Sequence, residues 1–203
     1  VRVEHADGDG LRTHVAAIGA ELEVPGAFPP DVSEAAERAA ARRPAGIRDR
    51  TDIPLVTIDP ETSLDLDQAV HIERRDRGYR VHYAIADVAA FVRPGDPVDA
   101  EAHRRGETLY GAGENIPLHP RMLSEDAASL LPGVPRPSLL WTVALDGDGE
   151  VTDARVERAT VRSVAKLSYE AAQLRIDSAT GDADGVLALL KVVGGLRQAR
   201  EAD

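Results

Sequence analysis

The chain has 203 residues, 43% of them hydrophobic and 29% charged, which is typical of a folded globular domain and excludes a largely disordered one. It has no cysteine and no apolar run of about 18 residues, which excludes disulfides, thiolate metal sites, cysteine nucleophiles and membrane-spanning helices. The formal net charge of −11 excludes a protein whose whole surface attracts nucleic acid, although a local basic groove remains possible.

Residues 1–46 are predicted to form a lead segment with short helices. Val1–Val3 is interpreted as a short strand and Leu11–Leu22 as a helix with apolar residues at helical spacing. After three prolines, a second helix is predicted over Ala35–Arg43, with Ser33 as its N-cap. No signal segment opens the chain, which predicts a cytoplasmic location, and the start at Val1 rather than Met indicates a trimmed leader or a fragment.

A group of strands is predicted to follow the lead segment. Leu55, Val56 and Ile58 form a short apolar run, and the residues from Val70 onwards alternate between apolar and polar. Arg77-Gly78 separates this strand from a second alternating run over Tyr79–Ile85. A period of two predicts antiparallel strands with one buried face.

The remaining elements complete a fold predicted as α+β, with a mostly antiparallel sheet and flanking helices. They are a helix over Asp96–Tyr110, an irregular stretch over 111–137, strands over Leu139–Leu145 and Val151–Val164, and helices over Ser168–Leu174 and Asp184–Arg200. Asp146–Gly149 is predicted to be a hairpin turn, since it joins two strands, although its acids also mimic calcium ligands. Trp141 is expected in the core, and Ser168 as an N-cap.

Three aspartates directly after the first strand are the strongest chemical feature. Asp59, Asp65 and Asp67 stand at positions i, i+6 and i+8, and Asp65 and Asp67 point the same way if the segment is extended. Pro60 and Ser63 favour a loop that brings Asp59 towards them. Converging carboxylates repel one another unless a hard cation neutralises them, and Mg²⁺ suits a site of few carboxylates and substrate phosphates.

A solvated acidic loop explains the three aspartates equally well. A calcium-binding EF-hand does not, because its loop needs glycine at position six and an acid at position twelve, which here are Leu64 and Val70. The sequence also contains no glycine-rich phosphate loop and no nucleophile elbow.

Several ordered motifs resemble those of the ribonuclease II/ribonuclease R (RNB) family. The resemblance covers about residues 47–175. The matching pieces are Thr57-Ile58-Asp59-Pro60 with Asp65-Leu66-Asp67, then Ile85-Ala86-Asp87-Val88, Gly106–Tyr110 with Ile116–Pro120, Leu123-Ser124 with Ser129-Leu130, and Val161-Arg162-Ser163 leading to Tyr169-Glu170.

The resemblance implies a Mg²⁺-dependent exoribonuclease that degrades single-stranded RNA from its 3′ end to nucleoside 5′-monophosphates. Residues 47–203 would then be the N-terminal portion of an RNB-type catalytic domain, and neither DNA nor a membrane is an expected partner. Asp59, Asp65 and Asp67 match three of the family's four active-site aspartates, which hold the metal and carry catalysis. Tyr110 matches the tyrosine that stacks on the terminal base.

Two departures from the family pattern leave an alternative open. Gln68 occupies the position of the fourth aspartate, where its amide oxygen can ligate Mg²⁺ but adds no charge. The chain is also shorter than the family's catalytic domain, so the later arginine and glutamate at the scissile phosphate have no counterpart. The alternative is an RNA-binding module with weak or absent catalysis, and the blandest interpretation is an interaction domain with an acidic loop.

The other candidate residues each have a functional and a structural interpretation. Arg104 and Arg105 precede Tyr110 and are candidate RNA contacts, although helix arginines are commonly only solvated. Arg48 and Arg50 lie just before the first strand and are candidate RNA contacts with the same alternative interpretation. Asp87 is interpreted either as a residue that supports the metal site or as the first residue of a loop. Three histidines are weak candidates for metal ligands, because Mg²⁺ prefers oxygen: His71, His82 and His119.

Overall fold

The computed structural model describes residues 13, 17–21, 24–111, 115–178 and 185–201. Within the helix predicted over Leu11–Leu22, Thr13 and residues 17–21 are helical, and the rest lies outside the described residues, as does the strand predicted at Val1–Val3. No helix in these described ranges is both long and apolar enough to cross a membrane.

Helices and strands alternate along the chain in an α+β arrangement, as predicted. In chain order they are α1 (Pro30–Ala40), β1 (Arg48–Asp49), β2 (Leu55–Ile58), β3 (Gln68–Arg75), β4 (Gly78–Ala86), a 3-10 turn (Val88–Ala90), α2 (Pro97–Arg105), β5 (Leu109–Tyr110), β6 (Asn115–Ile116), a π-helical segment (Met122–Ala127), β7 (Pro135–Asp146), β8 (Val151–Leu167), α3 (Tyr169–Ser178) and α4 (Val186–Glu201).

The main sheet closes on itself. Its strand order is β1-β8-β2-β3-β4-β7, and β7 also pairs with β8, so β2, β3, β4, β7 and β8 form a closed ring. The pairs β2–β3, β3–β4, β4–β7 and β7–β8 are antiparallel, which confirms the predicted sheet, whereas β1 and β2 pair with β8 in parallel. The period-two pattern is confirmed by an uninterrupted β3–β4 register from Gln68 opposite Ile85 to Arg75 opposite Gly78.

The two faces of the closed sheet bury different apolar groups. One face contributes a core that includes Leu55, Ala69, Ala84 and Leu140. The opposite face is covered at one end by α4, where Leu189 and Val193 pack with residues of β3, β4 and β7, namely Ile72, Tyr79 and Leu145. A separate core holds α1 against α2 and the π-helical segment through Val32, Val98 and Leu123. The sheet therefore has a filled interior.

Several helix boundaries differ from the predictions, and α1 and α2 show the clearest local causes. The helix predicted over Asp96–Tyr110 ends at Arg105, because Gly106 adopts φ 80° and closes the helix with a bond from its N–H to the Ala102 carbonyl oxygen (2.9 Å). Asp96 caps the start by accepting from the Asp99 N–H (3.0 Å). The predicted Ser33 N-cap is wrong, since α1 already begins at Pro30 and the Ser33 hydroxyl donates to the Pro29 carbonyl oxygen.

In the second half of the chain, the structure confirms the predicted hairpin turn and corrects the predicted burial of Trp141. Asp146 Oδ1 accepts from the N–H groups of Asp148 and Glu150 (3.0 and 2.9 Å), which makes Asp146–Gly149 the predicted turn. The Ser168 cap is confirmed by a bond from the Ala171 N–H to its hydroxyl (3.1 Å). Trp141, expected in the core, is 39% exposed, because it lies on the α4-facing side of the sheet but beyond the part that α4 covers. The stretch predicted to be irregular contains β6 and the π-helical segment.

Candidate active site

The three aspartates lie on the loop that connects β2 to β3. Val56 stands opposite Val70 in this antiparallel pair. Strand β2 ends at Ile58 and β3 begins at Gln68, so Asp59 directly follows one strand and Asp67 directly precedes its antiparallel partner. The strand-to-strand connection therefore brings the first and last aspartates to one end of the closed sheet.

A buried serine holds the middle of this loop against the body of the protein. Leu66 is fully buried, and its N–H donates to the Ser129 hydroxyl oxygen (3.0 Å). The same hydroxyl donates to the Leu64 carbonyl oxygen (2.6 Å), and the Leu130 N–H donates to the Leu66 carbonyl oxygen (2.9 Å). These bonds satisfy the loop backbone on both sides of Asp65 and leave the side chains of Asp65 and Asp67 exposed.

The end of β8 holds the first half of the loop. The Asp59 N–H donates to the Leu167 carbonyl oxygen (3.0 Å). The neighbouring Lys166 ammonium donates to the carbonyl oxygens of Glu61 (2.7 Å) and Ser63. The loop is thus fastened to a strand that is distant in sequence.

The carboxylates perturb one another. Loss of surrounding water raises the pKa of Asp59, the charge of Asp65 raises it further, and the Lys166 ammonium opposes the increase. The pKa of Asp67 is also raised, first because nearby protein removes water although the side chain keeps contact with solvent, and then by the charges of Asp65 and Asp59. The charge of Asp65 thus acts on both Asp59 and Asp67, which lie in its electrostatic environment.

This environment suits a hard cation in its donor chemistry. Oxygen ligands of carboxylates are those that Mg²⁺ prefers, and a divalent charge would relieve the repulsion between Asp59, Asp65 and Asp67. Across the described ranges, however, no three His, Asp or Glu side chains already stand close enough together to hold a metal ion. The residues therefore fit Mg²⁺ in type and charge, and the site would complete its ligand geometry on binding.

Gln68 lies at the first position of β3 with its side chain exposed. Its Oε1 accepts a hydrogen bond from the Tyr83 hydroxyl of β4. Burial raises the pKa of Tyr83, so this phenol stays protonated and remains a donor at neutral pH. The predicted ligation of Mg²⁺ by Gln68 would have to compete with this bond.

Tyr110 is the most exposed large hydrophobic side chain in the described ranges, at 74%. It belongs to β5, which pairs with β6 so that Tyr110 stands opposite Asn115 in a short separate hairpin. An exposed ring on a hairpin is available to stack on a base, and this role stays a prediction.

The two candidate arginines beside Tyr110 have opposite environments. The Arg105 side chain is only 1% exposed and lies over the Phe28 ring at 3.7 Å. It donates to Glu101 (2.8 Å) and to the carbonyl oxygens of Gly26 (2.8 Å) and Pro117 (3.2 Å). The expectation that Arg105 contacts RNA therefore disagrees with the structure, where it joins α2 to the segments around it.

Arg104 remains exposed and pairs with the same carboxylate. Its guanidinium donates to both oxygens of Glu101 (2.8 and 2.6 Å). The hydrogen bonds from Arg104, followed by those from Arg105, lower the pKa of Glu101 to about 2. Arg104 is thus the arginine of this pair that solvent can reach.

The remaining candidates are mainly engaged within the protein. Arg48 and Arg50 both pair with Glu157 of β8, at 3.4 and 2.9 Å. Asp87 is buried and accepts from Arg158 (2.6 Å), which ties the end of β4 to β8. These ion pairs explain the residues without invoking RNA or metal.

The histidines lie away from the aspartate loop along the sheet. His71 and His82 stand opposite one another on β3 and β4, with ring centroids 6.2 Å apart. They line a cavity of about 270 Å³ together with Glu73 and Thr142. Burial lowers the pKa of both, and also that of His119, so none carries a charge at neutral pH. Their weak candidacy as metal ligands gains no support among the described residues.

Sequence reasoning missed two residues that shape the site, Ser129 and Lys166. In the sequence, Ser129 stands out only as part of the Ser129-Leu130 motif. Its hydrogen bonds with Leu66 and Leu64 join segments that are more than sixty residues apart in sequence. Lys166 is one of two lysines in a chain with 24 basic residues, a rarity that is visible in the sequence. Neither contact has a local pattern that predicts it.

Comparison with known proteins agrees with this geometry. The family model described as RNB domain matches residues 47–203. Ribonuclease R of Escherichia coli (strain K12) is 37% identical over 164 residues, which is 78% of this chain and 19% of the relative. Exoribonuclease 2 of Vibrio vulnificus (strain YJ016) is 40% identical over 124 residues, or 60% of this chain and 19% of the relative.

Among solved structures, RNase R of Mycoplasma genitalium in complex with ribose-methylated single-stranded RNA is similar over 96% of this chain, with 26% identity and a TM-score of 0.84. This chain covers 32% of that structure and about a fifth of the curated relatives above. The aspartate loop, the closed sheet and α3 all lie within the matched residues 47–203. A match over most of the chain, on the segment that carries the candidate site, places this chain in the RNB family.

Proposed function

We propose that this chain carries the metal-binding carboxylates of a Mg²⁺-dependent exoribonuclease, which hydrolyses single-stranded RNA from the 3′ end to nucleoside 5′-monophosphates. The observation that carries the proposal is that Asp59, Asp65 and Asp67 lie on one loop at one end of the closed sheet, where the charge of Asp65 disfavours ionisation of both Asp59 and Asp67 and a cation would relieve that repulsion. Membership of a family whose relatives are named exoribonucleases supports the same reaction.

Asp59, Asp65 and Asp67 would hold the metal, with Gln68 as a neutral ligand once its oxygen leaves Tyr83. When bound, Mg²⁺ supplies positive charge beside the scissile phosphate and lowers the pKa of a bound water. The chain's own part is to keep the carboxylates ionised and oriented. The bonds from Ser129 and the Leu167 carbonyl oxygen to the loop backbone perform that orientation.

Single-stranded RNA is the proposed partner, with no DNA or membrane partner and a cytoplasmic location. Tyr110 would stack on the terminal base, since its ring is free of protein contacts that would hide it. Arg104 would approach a phosphate in exchange for part of its pairing with Glu101. Because Arg105 is buried, we do not include it among the RNA contacts.

The direct test is hydrolysis of a 5′-labelled single-stranded RNA in the presence of Mg²⁺. It is run on this chain and on the longest natural protein that contains it, because the chain spans about a fifth of its curated relatives. The expected result is a ladder that shortens from the 3′ end and disappears with EDTA. Asp67→Asn should abolish the ladder while RNA binding persists.

Each other outcome has a definite meaning. Hydrolysis by the longer protein alone would mean that this chain holds an incomplete site. RNA binding without hydrolysis in both proteins would contradict the proposal and favour the RNA-binding module. In that case Gln68→Asp in the longer protein would show whether the missing charge is the cause. Full activity of Asp67→Asn would remove the role assigned to Asp67.

A further inference from the structure

We propose that Lys166 is a positioning residue of the metal site, which holds the 59–67 loop in the conformation that binds Mg²⁺. The inference rests on the proposed function and adds a residue outside the carboxylate motif. Lys166 does not touch the metal or the RNA in this role. It acts through the backbone that carries Asp59 and Asp65.

Lys166 of β8 contacts the backbone of the 59–67 loop. Its ammonium donates to the carbonyl oxygens of Glu61 (2.7 Å) and Ser63, the two groups that flank Thr62 between the first and second aspartates. The Ser63 N–H also donates to the Pro60 carbonyl oxygen (3.0 Å), so this part of the loop is a turn with the lysine across its open side. An ammonium offers three donors, which lets one side chain hold two carbonyl groups.

A bulge in β8 places Lys166 where it can reach the loop. Leu55 stands opposite Ser163, but Val56 stands opposite Ala165, so Val164 is passed over in the parallel pairing. The Ser163 hydroxyl bridges the irregularity by donating to the Ala165 carbonyl oxygen (3.0 Å). One extra residue reverses which face each later side chain occupies.

Because of this reversal, Lys166 stands opposite Thr57 and not opposite Ile58. Thr57 is fully buried and shares the face of β2 on which Asp59 follows two residues later. In an unbulged strand Lys166 would stand opposite Ile58 and point to the other face. Bulges near functional loops commonly re-aim a side chain in this way.

The hydrogen bonds of Lys166 are present without metal. By fastening the carbonyl oxygens of Glu61 and Ser63, the ammonium holds the loop in shape before the metal binds. Preorganisation of this kind raises affinity for a ligand because less ordering remains to be done on binding.

The chain offers a matched control in its second lysine. Lys191 lies on α4 and donates to the Ile176 carbonyl oxygen (3.3 Å), in contact with α3 and away from the loop. The test compares Lys166→Met, Lys166→Arg and Lys191→Met with the unmodified chain. Arginine keeps the charge and offers several donors, whereas methionine keeps only the length of the side chain.

Two readouts are measured on each variant. Amide hydrogen exchange of residues 61–66 without metal reports the loop, and calorimetric titration with MgCl₂ reports affinity. Lys166→Met is expected to exchange about tenfold faster or more in the loop and to bind Mg²⁺ about tenfold more weakly or more, because it loses the charge-assisted hydrogen bonds to both the Glu61 and the Ser63 carbonyl oxygens. Lys166→Arg should recover most of both changes, and Lys191→Met should change neither.

Unchanged loop exchange in Lys166→Met would overturn the proposal. So would Mg²⁺ binding that is unchanged or tighter, since tighter binding would mean that the ammonium only competes with the metal for the carboxylates. If neither the unmodified chain nor the longest natural protein that contains it binds Mg²⁺, the proposed metal function fails, and Lys166 loses its role in that site whatever the exchange result. Normal Mg²⁺ binding without RNA hydrolysis would refute the reaction while leaving the Lys166 comparison decisive.

Discussion

Replacing Arg105 by alanine is expected to destabilise the chain far more than replacing its neighbour Arg104. The Arg105 guanidinium lies in a nearly closed environment, over the Phe28 ring and in contact with the Glu101 carboxylate. It also donates to the carbonyl oxygens of Gly26 and Pro117, which belong to different parts of the chain. One side chain therefore joins the residues before α1, helix α2 and the segment after β6.

The magnitude follows from these contacts. Removing one partner of a buried ion pair costs about 3–5 kcal/mol, because the other partner and its hydrogen-bond acceptors stay buried without it. Here Glu101 keeps Arg104, which favours the lower part of that range, while two carbonyl oxygens lose their donor. For a domain of this size the loss corresponds to a decrease of roughly 6–20 °C in Tm.

Thermal unfolding followed by circular dichroism, together with an RNA-binding titration, separates the two arginines. Arg105→Ala should lower Tm strongly, and Arg105→Lys should recover only part of the loss, because an ammonium cannot reproduce the planar contact with Phe28 and three acceptors. Arg104→Ala should leave Tm nearly unchanged and weaken RNA binding, with an effect that decreases as salt rises.

Two results would refute this reasoning. A Tm of Arg105→Ala equal to that of the unmodified chain would show that the buried contacts contribute no net stability. Weaker RNA binding by Arg105→Lys at unchanged Tm would restore Arg105 as an RNA contact, in conflict with its burial.

Four further outcomes are expected around the aspartate loop and the hairpin. Asp67→Asn should raise Tm in the absence of metal, because it removes a charge that loss of surrounding water and then repulsion from Asp65 and Asp59 disfavour, and should abolish the increase in Tm on adding Mg²⁺; a fall in Tm without metal would contradict this. The increase in Tm caused by Mg²⁺ should become smaller as pH falls from 7, because protons then compete with the metal for Asp59 and Asp67. Since both pKa values are raised, this decrease should begin at a higher pH than for aspartates with the ordinary value of 3.8. An increase in Tm that does not vary with pH would exclude these carboxyls as ligands. Tyr110→Ala should weaken single-stranded RNA binding about 5- to 150-fold at unchanged Tm, the value of about 1–3 kcal/mol for one stacked base; equal affinities would remove the stacking role. Ser129→Ala should cost about 1–3 kcal/mol in urea unfolding, since it leaves the buried Leu66 N–H and the partly buried Leu64 carbonyl oxygen without their partner. Ser124→Ala in the neighbouring segment serves as the control.

Local patterns predicted much of this fold. The alternation of Tyr79, Val81 and Tyr83 predicted β4 correctly, because one side of the strand packs against α4 and the other against the interior. The same approach placed the three aspartates on one loop after a buried strand, since a turn between antiparallel strands necessarily returns to the same edge. The end of α2 was also available locally, because Gly106 is the residue at which the helix closes.

Contacts between distant segments were beyond such patterns. Arg105 carries the same charge as Arg104, and only the arrival of Phe28 and Glu101 on one side of α2 buries it. Trp141 belongs to an apolar strand, but its face of the sheet extends beyond the part that α4 covers. The bulge at Val164 reverses which side chains of β8 point to each face of the sheet. No local pattern in Val161–Lys166 predicts which residue is left out of the pairing.

The parallel pairing of β2 with β8 has a consequence for the order of events during synthesis. Lys166 and Glu61 are 105 residues apart, so the aspartate loop leaves the ribosome long before the strand that fastens it. At ~5–20 residues per second, about 5–20 s separate the two segments. A closure that joins such distant residues is also intrinsically slow. The acidic loop therefore spends its first seconds without its partner strand, and a nascent chain should acquire the capacity to bind Mg²⁺ only after β8 has emerged and closed the sheet.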